Sequence, residues 1–322
     1  MLLDKTILMR AALAGGLLFA TLQFAVAQTL PPIFEGVQSR LLVARTVAER
    51  PPNTFLENLV IDAVGRTLVT SHEDGVIYQY RHGKALTAFA QVPGKVTGIA
   101  AGKNGELIAT GADLSGKAVI FHVSPKGAVQ TLLRIKDGIF LNGIAHLAGQ
   151  RYLVADSYKG AIWLVDAGKR TATIWLQNAL LERADEKSPF PAANGIKVDK
   201  RRVLVSNTAK QLLVAIPIGK TGLAGTPTVL KDQVNLDDFV VDKDGSLYGA
   251  THVYNSVIRV APDGQITTIA GTAQGMTGST AIALGKTASG QRALYVTTNG
   301  GMFLPPAEGV QPAKLVEILL PP

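Results

Sequence analysis

Glu57, Asn142, Asn194 and Asp237 carry the side chains best suited to hold a cation, and each heads a short apolar stretch of one outline. The four stretches read Glu57-Asn-Leu-Val-Ile-Asp62, Asn142-Gly-Ile-Ala-His-Leu147, Asn194-Gly-Ile-Lys-Val-Asp199 and Asp237-Asp-Phe-Val-Val-Asp242. Thr97 and Thr280 head two more, Thr97-Gly-Ile-Ala-Ala-Gly102 and Thr280-Ala-Ile-Ala-Leu-Gly285. Carboxylate and amide oxygens are hard donors, and a hard cation such as calcium gathers roughly six to eight of them. Taken singly, Asn-Gly and Asp mark ordinary turns. At one register of a repeat they become a site if the fold brings the starts of the repeats together.

The elements that must do so are strands. Each lead is followed about ten residues later by a second apolar stretch, as a hairpin requires. These stretches are Thr67-Leu-Val-Thr70, Glu106-Leu-Ile-Ala109, Tyr152-Leu-Val-Ala155, Val203-Leu-Val-Ser206, Leu247-Tyr-Gly-Ala250 and Leu294-Tyr-Val-Thr297. Turns containing Gly separate them, and a third strand such as Ser256-Val-Ile-Arg-Val260 follows. The leads recur at intervals of roughly 40–50 residues, the size of a propeller blade. The chain therefore reads as all-β, a six-bladed β-propeller with a central metal-binding channel. In that architecture the innermost strands run beside the channel, so six equivalent residues converge on one ring.

The chain of 322 residues divides into three parts. Residues 1–27 read as a secretory signal peptide: Asp4, Lys5 and Arg10 precede an apolar run from Ala11 to Phe24, and Ala25-Val-Ala27 before Gln28 is an A-x-A cleavage site. Gln23 interrupts the run and it is too short for a transmembrane anchor, so no stable membrane span is expected after cleavage. The mature protein is then expected to be periplasmic or secreted. Residues 28–50 read as a linker and a ring-closing strand, with Arg40-Leu-Leu-Val-Ala-Arg-Thr-Val47 expected to pair with Ala313-Lys-Leu-Val-Glu-Ile-Leu-Leu320. Residues 51–322 form the propeller itself. An insertion over 176–191 carries helix formers before Ser188-Pro-Phe-Pro191 and suggests a short helix beside the site, as a lid or substrate wall, with a plain surface loop as the alternative.

Composition removes several alternatives. There is no cysteine, so disulfides and thiolate metal centres are excluded. The net charge of +8 is spread through turns, and its longest cluster, Lys200-Arg-Arg202, sits in an expected hairpin turn without interleaved aromatics. A nucleic-acid partner is not expected. No G-x-S-x-G motif provides a nucleophilic serine.

Pro191-Ala-Ala-Asn-Gly-Ile-Lys-Val-Asp199, Phe140-Leu-Asn-Gly-Ile144 and Leu236-Asp-Asp-Phe-Val-Val-Asp242 resemble the calcium-site strands of the gluconolactonase, senescence-marker-protein and paraoxonase superfamily. The resemblance covers about residues 50–305, all six repeats. It implies a catalytic Ca2+, with another divalent cation as the alternative, held by Glu57, Asn142, Asn194 and Asp237. The paraoxonase branch adds a polar ligand after the acidic one, here Asp238, leaving open which of Asp237 and Asp238 is the principal ligand. In that branch His252 matches an active-site histidine, and His72 occupies the analogous place in blade one. Thr97 stands where the branch has a leading histidine, and His146 reads as a packed histidine behind Asn142. Gly278-Ser-Thr280 is similar to its last blade.

The function implied is an exported calcium-dependent hydrolase of a lactone or ester, with Asp237 and His252 as catalytic residues and a small-molecule substrate as partner. The alternative is a non-catalytic propeller that recognises a peptide, sugar or protein, with structural calcium or none. Substrate identity and oligomeric state are not legible in these residues.

Overall fold

Short runs of Val, Ile and Leu flanked by Gly, Asn and Asp pair most readily with their own neighbours in sequence, which yields antiparallel meanders. The computed structural model describes residues 30–188 and 190–321, and the expected leader over residues 1–27 lies outside the described residues. Its strands form six sheets, each an antiparallel meander of four strands; a fifth, short strand is added to one of them in parallel. Their inner strands are Leu56–Ile61, Gly94–Ala101, Leu141–Ala148, Ala193–Asp199, Phe239–Val241 and Ser279–Lys286. Each inner strand lies against those of the two neighbouring sheets, and the sixth lies against the first. That closed circuit is a six-bladed propeller.

The blades are held by apolar packing between faces. Six buried clusters fill the six junctions: Leu68, Ile77, Val96, Leu107 and Phe121 join blades one and two, and Leu56, Val69, Tyr295 and Leu315 join blade six to blade one. A second strand such as Thr67–Ser71 or Arg202–Asn207 is buried almost throughout because a blade packs on each of its faces. This explains why the second strands read as continuous apolar runs with little alternation.

The ends of the described chain close the ring. Ala44–Arg50 pairs antiparallel with Ala313–Leu319, in a register that sets Ala44 opposite Ile318 and Arg50 opposite Ala313. Just before it, Gln38–Ser39 runs parallel to Ile266–Ala270 of blade five, so one N-terminal segment is hydrogen-bonded to two blades. The sequence gives no sign of this second attachment.

The insertion before blade four differs from the expected helix. Among its described residues it holds a single 3-10 turn, Ala179–Leu181, capped by the Asn178 side chain, which accepts from the Leu180 amide at 2.9 Å. Asn207 Nδ2 donates to the carbonyls of Leu180 and Glu182, and Lys210 Nζ to that of Ala179, drawing the backbone oxygens away from a helical ladder. A helix this short does not repay its nucleation cost when blade four offers these bonds instead. Among the described residues no helix is long and apolar enough to cross a membrane.

Candidate active site at the channel mouth

At three of the six leads, Thr97, Asn142 and Asn194, the next position lacks a side chain and the neighbouring blade comes in close. A Cβ on Gly98 would sit 2.4 Å from the Asn142 carbonyl oxygen, and one on Gly143 would sit 2.4 Å from that of Asn194. One on Gly195 would lie 2.6 Å from Asp238 Oδ1. The glycines after Thr97, Asn142 and Asn194 are therefore contact points between blades. Hydroxyls on or just after the second strands complete the belt: Thr70 donates to the Thr97 carbonyl at 2.7 Å, Thr110 to that of Asn142 at 2.6 Å, and Ser206 to that of Asp237 at 3.3 Å. Thr280, a lead residue, donates to the Leu56 carbonyl at 2.7 Å and carries the belt across the closure.

On this belt Glu57, Asn142, Asn194, Asp237 and Asp238 are all buried. Asn194 Nδ2 donates to Asp237 Oδ1 and, at 3.1 Å, to Thr208 Oγ1. Asp237 Oδ2 lies 3.2 Å from His252 Nδ1, and His252 Nε2 lies 2.8 Å from Asn299 Nδ2. A neutral imidazole satisfies both contacts, donating from Nδ1 to the carboxylate and accepting at Nε2 from the amide. Burial, which disfavours the imidazolium, lowers the His252 pKa to about 4 and agrees with that form. His252 stands at φ +48°, in the left-handed region, which turns the chain after Leu247–Ala250.

The carboxylates repel one another. Burial, and then the charge of Asp238, push the Glu57 carboxyl up to about 8. Burial and then Glu57 hold Asp237 well above the usual carboxylate range, against the opposing hydrogen bond from Asn194. Glu57 Oε2 and Asp238 Oδ2 are buried without a hydrogen-bond partner. Orphaned acidic oxygens beside buried amides fit a hard cation, whose charge would relieve both the repulsion and the missing bonds. Among the described residues no three His, Cys, Asp or Glu side chains form a metal cluster by themselves, so the amides of Asn142 and Asn194 would have to complete the donor set. Asp238, next to the lead Asp237, differs from Glu57 and Asp237 because its Oδ1 is bonded to Lys197 Nζ at 2.6 Å.

An arc of rings borders the mouth. Phe55 meets His72, Phe303 and His252 at centroid distances of 5.5, 5.5 and 6.3 Å. Phe140 meets His72 at 6.2 Å and stacks on Tyr158 at 5.2 Å, over whose ring Arg183 sits at 4.9 Å. Burial also lowers the His72 pKa, and its Nδ1 bonds the Val96 carbonyl at 3.1 Å. His146 departs from the packed position expected of it. It is exposed, and its Nε2 lies 3.0 Å from the carbonyl of Gly149 in the following turn, because by that point the inner strand has left the channel.

A family model described as the SMP-30/Gluconolactonase/LRE-like region matches residues 59–300. The chain belongs to that family. Among solved structures it resembles a luciferin-regenerating enzyme, with 14% identity over 87% of this chain and 95% of that one and a TM-score of 0.66. It also resembles a calcium-binding regucalcin from Agrobacterium tumefaciens, with 16% identity, 88% and 97% coverage and a TM-score of 0.66. An auxiliary nutrient binding protein from Bacteroides ovatus shares the fold at 11% identity, 88% and 75% coverage and a TM-score of 0.64. At these identities the likeness is one of fold. No curated protein matches the chain by sequence.

Asn299 and Lys197 are the site residues that sequence reasoning missed. Asn299 follows the second strand of blade six as His252 follows that of blade five and His72 that of blade one. A polar residue at this shared register was the available signal. For Lys197 it was a charge inside an otherwise apolar inner strand, Asn194-Gly-Ile-Lys-Val198.

Proposed function

We propose that this family member is an exported calcium-dependent hydrolase that opens a lactone or cleaves an ester at the channel mouth. The reading is carried by one observation: the carboxylates of Glu57, Asp237 and Asp238, from blades one and five, are buried together, Glu57 raising the proton affinity of Asp237 and Asp238 that of Glu57, beside orphaned oxygens on Glu57 and Asp238. The likeness to a regucalcin described as calcium-binding supports the metal, and the family description supports lactone chemistry. Export rests on the leader read over residues 1–27.

Glu57, Asn142, Asn194 and Asp237 would hold the cation, with Asp238 adjoining. Bound there, calcium supplies a Lewis acid that polarises the substrate carbonyl. Asp237 is positioned on one side by Asn194 and on the other by His252, leaving little rotational freedom in its carboxylate. A water attacking the carbonyl carbon forms the new C–O bond and passes its proton to Asp237; the ester C–O bond breaks and the leaving alkoxide takes that proton from Asp237, which restores the carboxylate. His252 and Asn299 keep that carboxylate oriented, and Phe55, Phe140 and Phe303 form an apolar border on one side of the mouth.

The test is hydrolysis of a panel of lactones and aryl esters, with calcium and with chelator, by wild type and Asp237→Asn. Loss of a calcium-dependent activity in a folded variant supports the assignment, and a wild type inert towards the whole panel refutes it. The second reading, a binding propeller, is favoured by the exposure of the aromatic arc, where Phe303 is 65% exposed. It would stand if calcium bound with no turnover of any panel member.

A further inference from the structure

Lys197 is the one cation bonded to the carboxylates of the channel among the described residues. Its Nζ lies 2.6 Å from Asp238 Oδ1 and 5.7 Å from the centre of the Phe239 ring, and its side chain is 30% exposed against 4% for Asp238. The two residues come from different blades, and the backbone fixes their approach. Gly195 donates its amide to the Asp237 carbonyl at 2.9 Å, and the Ala250 amide donates to that of Asp238 at 2.9 Å. The bare Cα of Gly195 leaves the space that Asp238 Oδ1 occupies. Asp238 is thus held with one oxygen on Lys197 and the other, Oδ2, buried without a partner.

A carboxylate in this position has two competing uses. It can join Glu57 and Asp237 around a cation, or it can stay with the ammonium. An ion pair at 2.6 Å on a carboxylate whose side chain is only 4% exposed holds it to the ammonium, and a positive charge so close also opposes a divalent ion. We propose that Lys197 is an internal counter-ion that withholds Asp238 from cation binding and thereby sets the affinity of the channel for a divalent cation. The inference rests on the calcium reading above and adds a positioning residue to it, one that acts through Asp238 and touches no substrate.

The experiment is calorimetric titration of calcium chloride into the chelator-stripped full chain. Wild type is compared with Lys197→Met, Lys197→Arg and Asp238→Asn, with near-ultraviolet circular dichroism of each to establish the fold. Lys197→Met should bind calcium at least about tenfold more tightly, because it frees a carboxylate and removes a positive charge. Asp238→Asn should bind more weakly, because it leaves that charge without a partner. Lys197→Arg keeps the pair and should stay within about threefold of wild type. A purely structural salt bridge would weaken binding in both neutralising variants, so opposite signs are the signature.

A folded Lys197→Met that binds no more tightly than wild type overturns the inference. If Lys197→Met does not fold without calcium, the double variant with Asp238→Asn carries no charge at either position and takes its place. It should bind more tightly than Asp238→Asn alone, and equality overturns the inference. A wild type that binds no calcium overturns the functional reading together with this one, whereas binding without the sign pattern overturns this one alone.

Discussion

Replacing Glu57 with glutamine should stabilise the calcium-free protein at alkaline pH even though it removes a cation ligand. The Glu57 carboxyl titrates at about 8 in the fold and at its ordinary 4.5 once unfolded. Between those values the folded state holds a proton that the unfolded state has released, so stability falls as pH rises and levels off above about 8. The full displacement corresponds to roughly 5 kcal/mol, at about 1.4 kcal/mol for each tenfold change in proton affinity. Asp237, also raised by burial, acts in the same direction. Glutamine has nearly the same shape and no charge. In chelator at about pH 8.5, Glu57→Gln should exceed wild type by about 2–5 kcal/mol, and the advantage should vanish by about pH 5. Saturating calcium should offset most of that advantage, since a ligand at a hundredfold excess over its Kd stabilises the form that binds it by about 2.7 kcal/mol. Urea unfolding across this pH range, with chelator and with calcium, measures the difference between the two proteins and cancels the titrating groups remote from Glu57; Asp237, which Glu57 raises, adds to the difference in the same direction. A variant less stable than wild type at about pH 8.5 in chelator, or a difference that does not change with pH, refutes the electrostatic account of the site.

Other outcomes test the neighbouring structure. Gly143→Ala puts a methyl 2.4 Å from the Asn194 carbonyl and should cost about 1–3 kcal/mol while weakening calcium binding; a neutral effect on both would mean that the inner strands can part freely. His252→Asn retains a residue that tolerates φ +48° and removes the ring from Asp237, so the melting temperature should barely move while kcat falls by about 10²–10⁴; an unchanged rate excludes His252 from the chemistry. Deleting residues 40–47 removes strand pairing from blade six and should abolish cooperative unfolding, and a truncated chain that melts sharply at the same temperature refutes that role.

The blade count and the positions of the inner strands were legible because each blade repeats one local problem. An apolar stretch must find a partner about ten residues away, and Gly, Asn or Asp in the turn decides where the chain reverses. The leads Glu57, Asn142, Asn194 and Asp237 could be named for the same reason, since a repeat register survives in sequence whatever the tertiary detail. The insertion over 176–191 was misread as helical because helix propensity says nothing of Asn207 and Lys210, which capture its carbonyls from another blade. His146 was misread because the register that puts Asn142 on the belt gives no indication of where the strand leaves the channel.

The sequence by itself determined what repeats: six meanders, a polar lead on each, and a glycine after three of those leads, Thr97, Asn142 and Asn194. Only the tertiary structure decided which charges meet. Lys197 reaches Asp238 across 41 positions, Asp237 lies against His252 from the turn beyond its own hairpin, and Asn299 reaches that histidine from blade six. Local pattern encodes local pairing, whereas a contact between blades depends on how six sheets close into a ring, and no single stretch of sequence contains that closure.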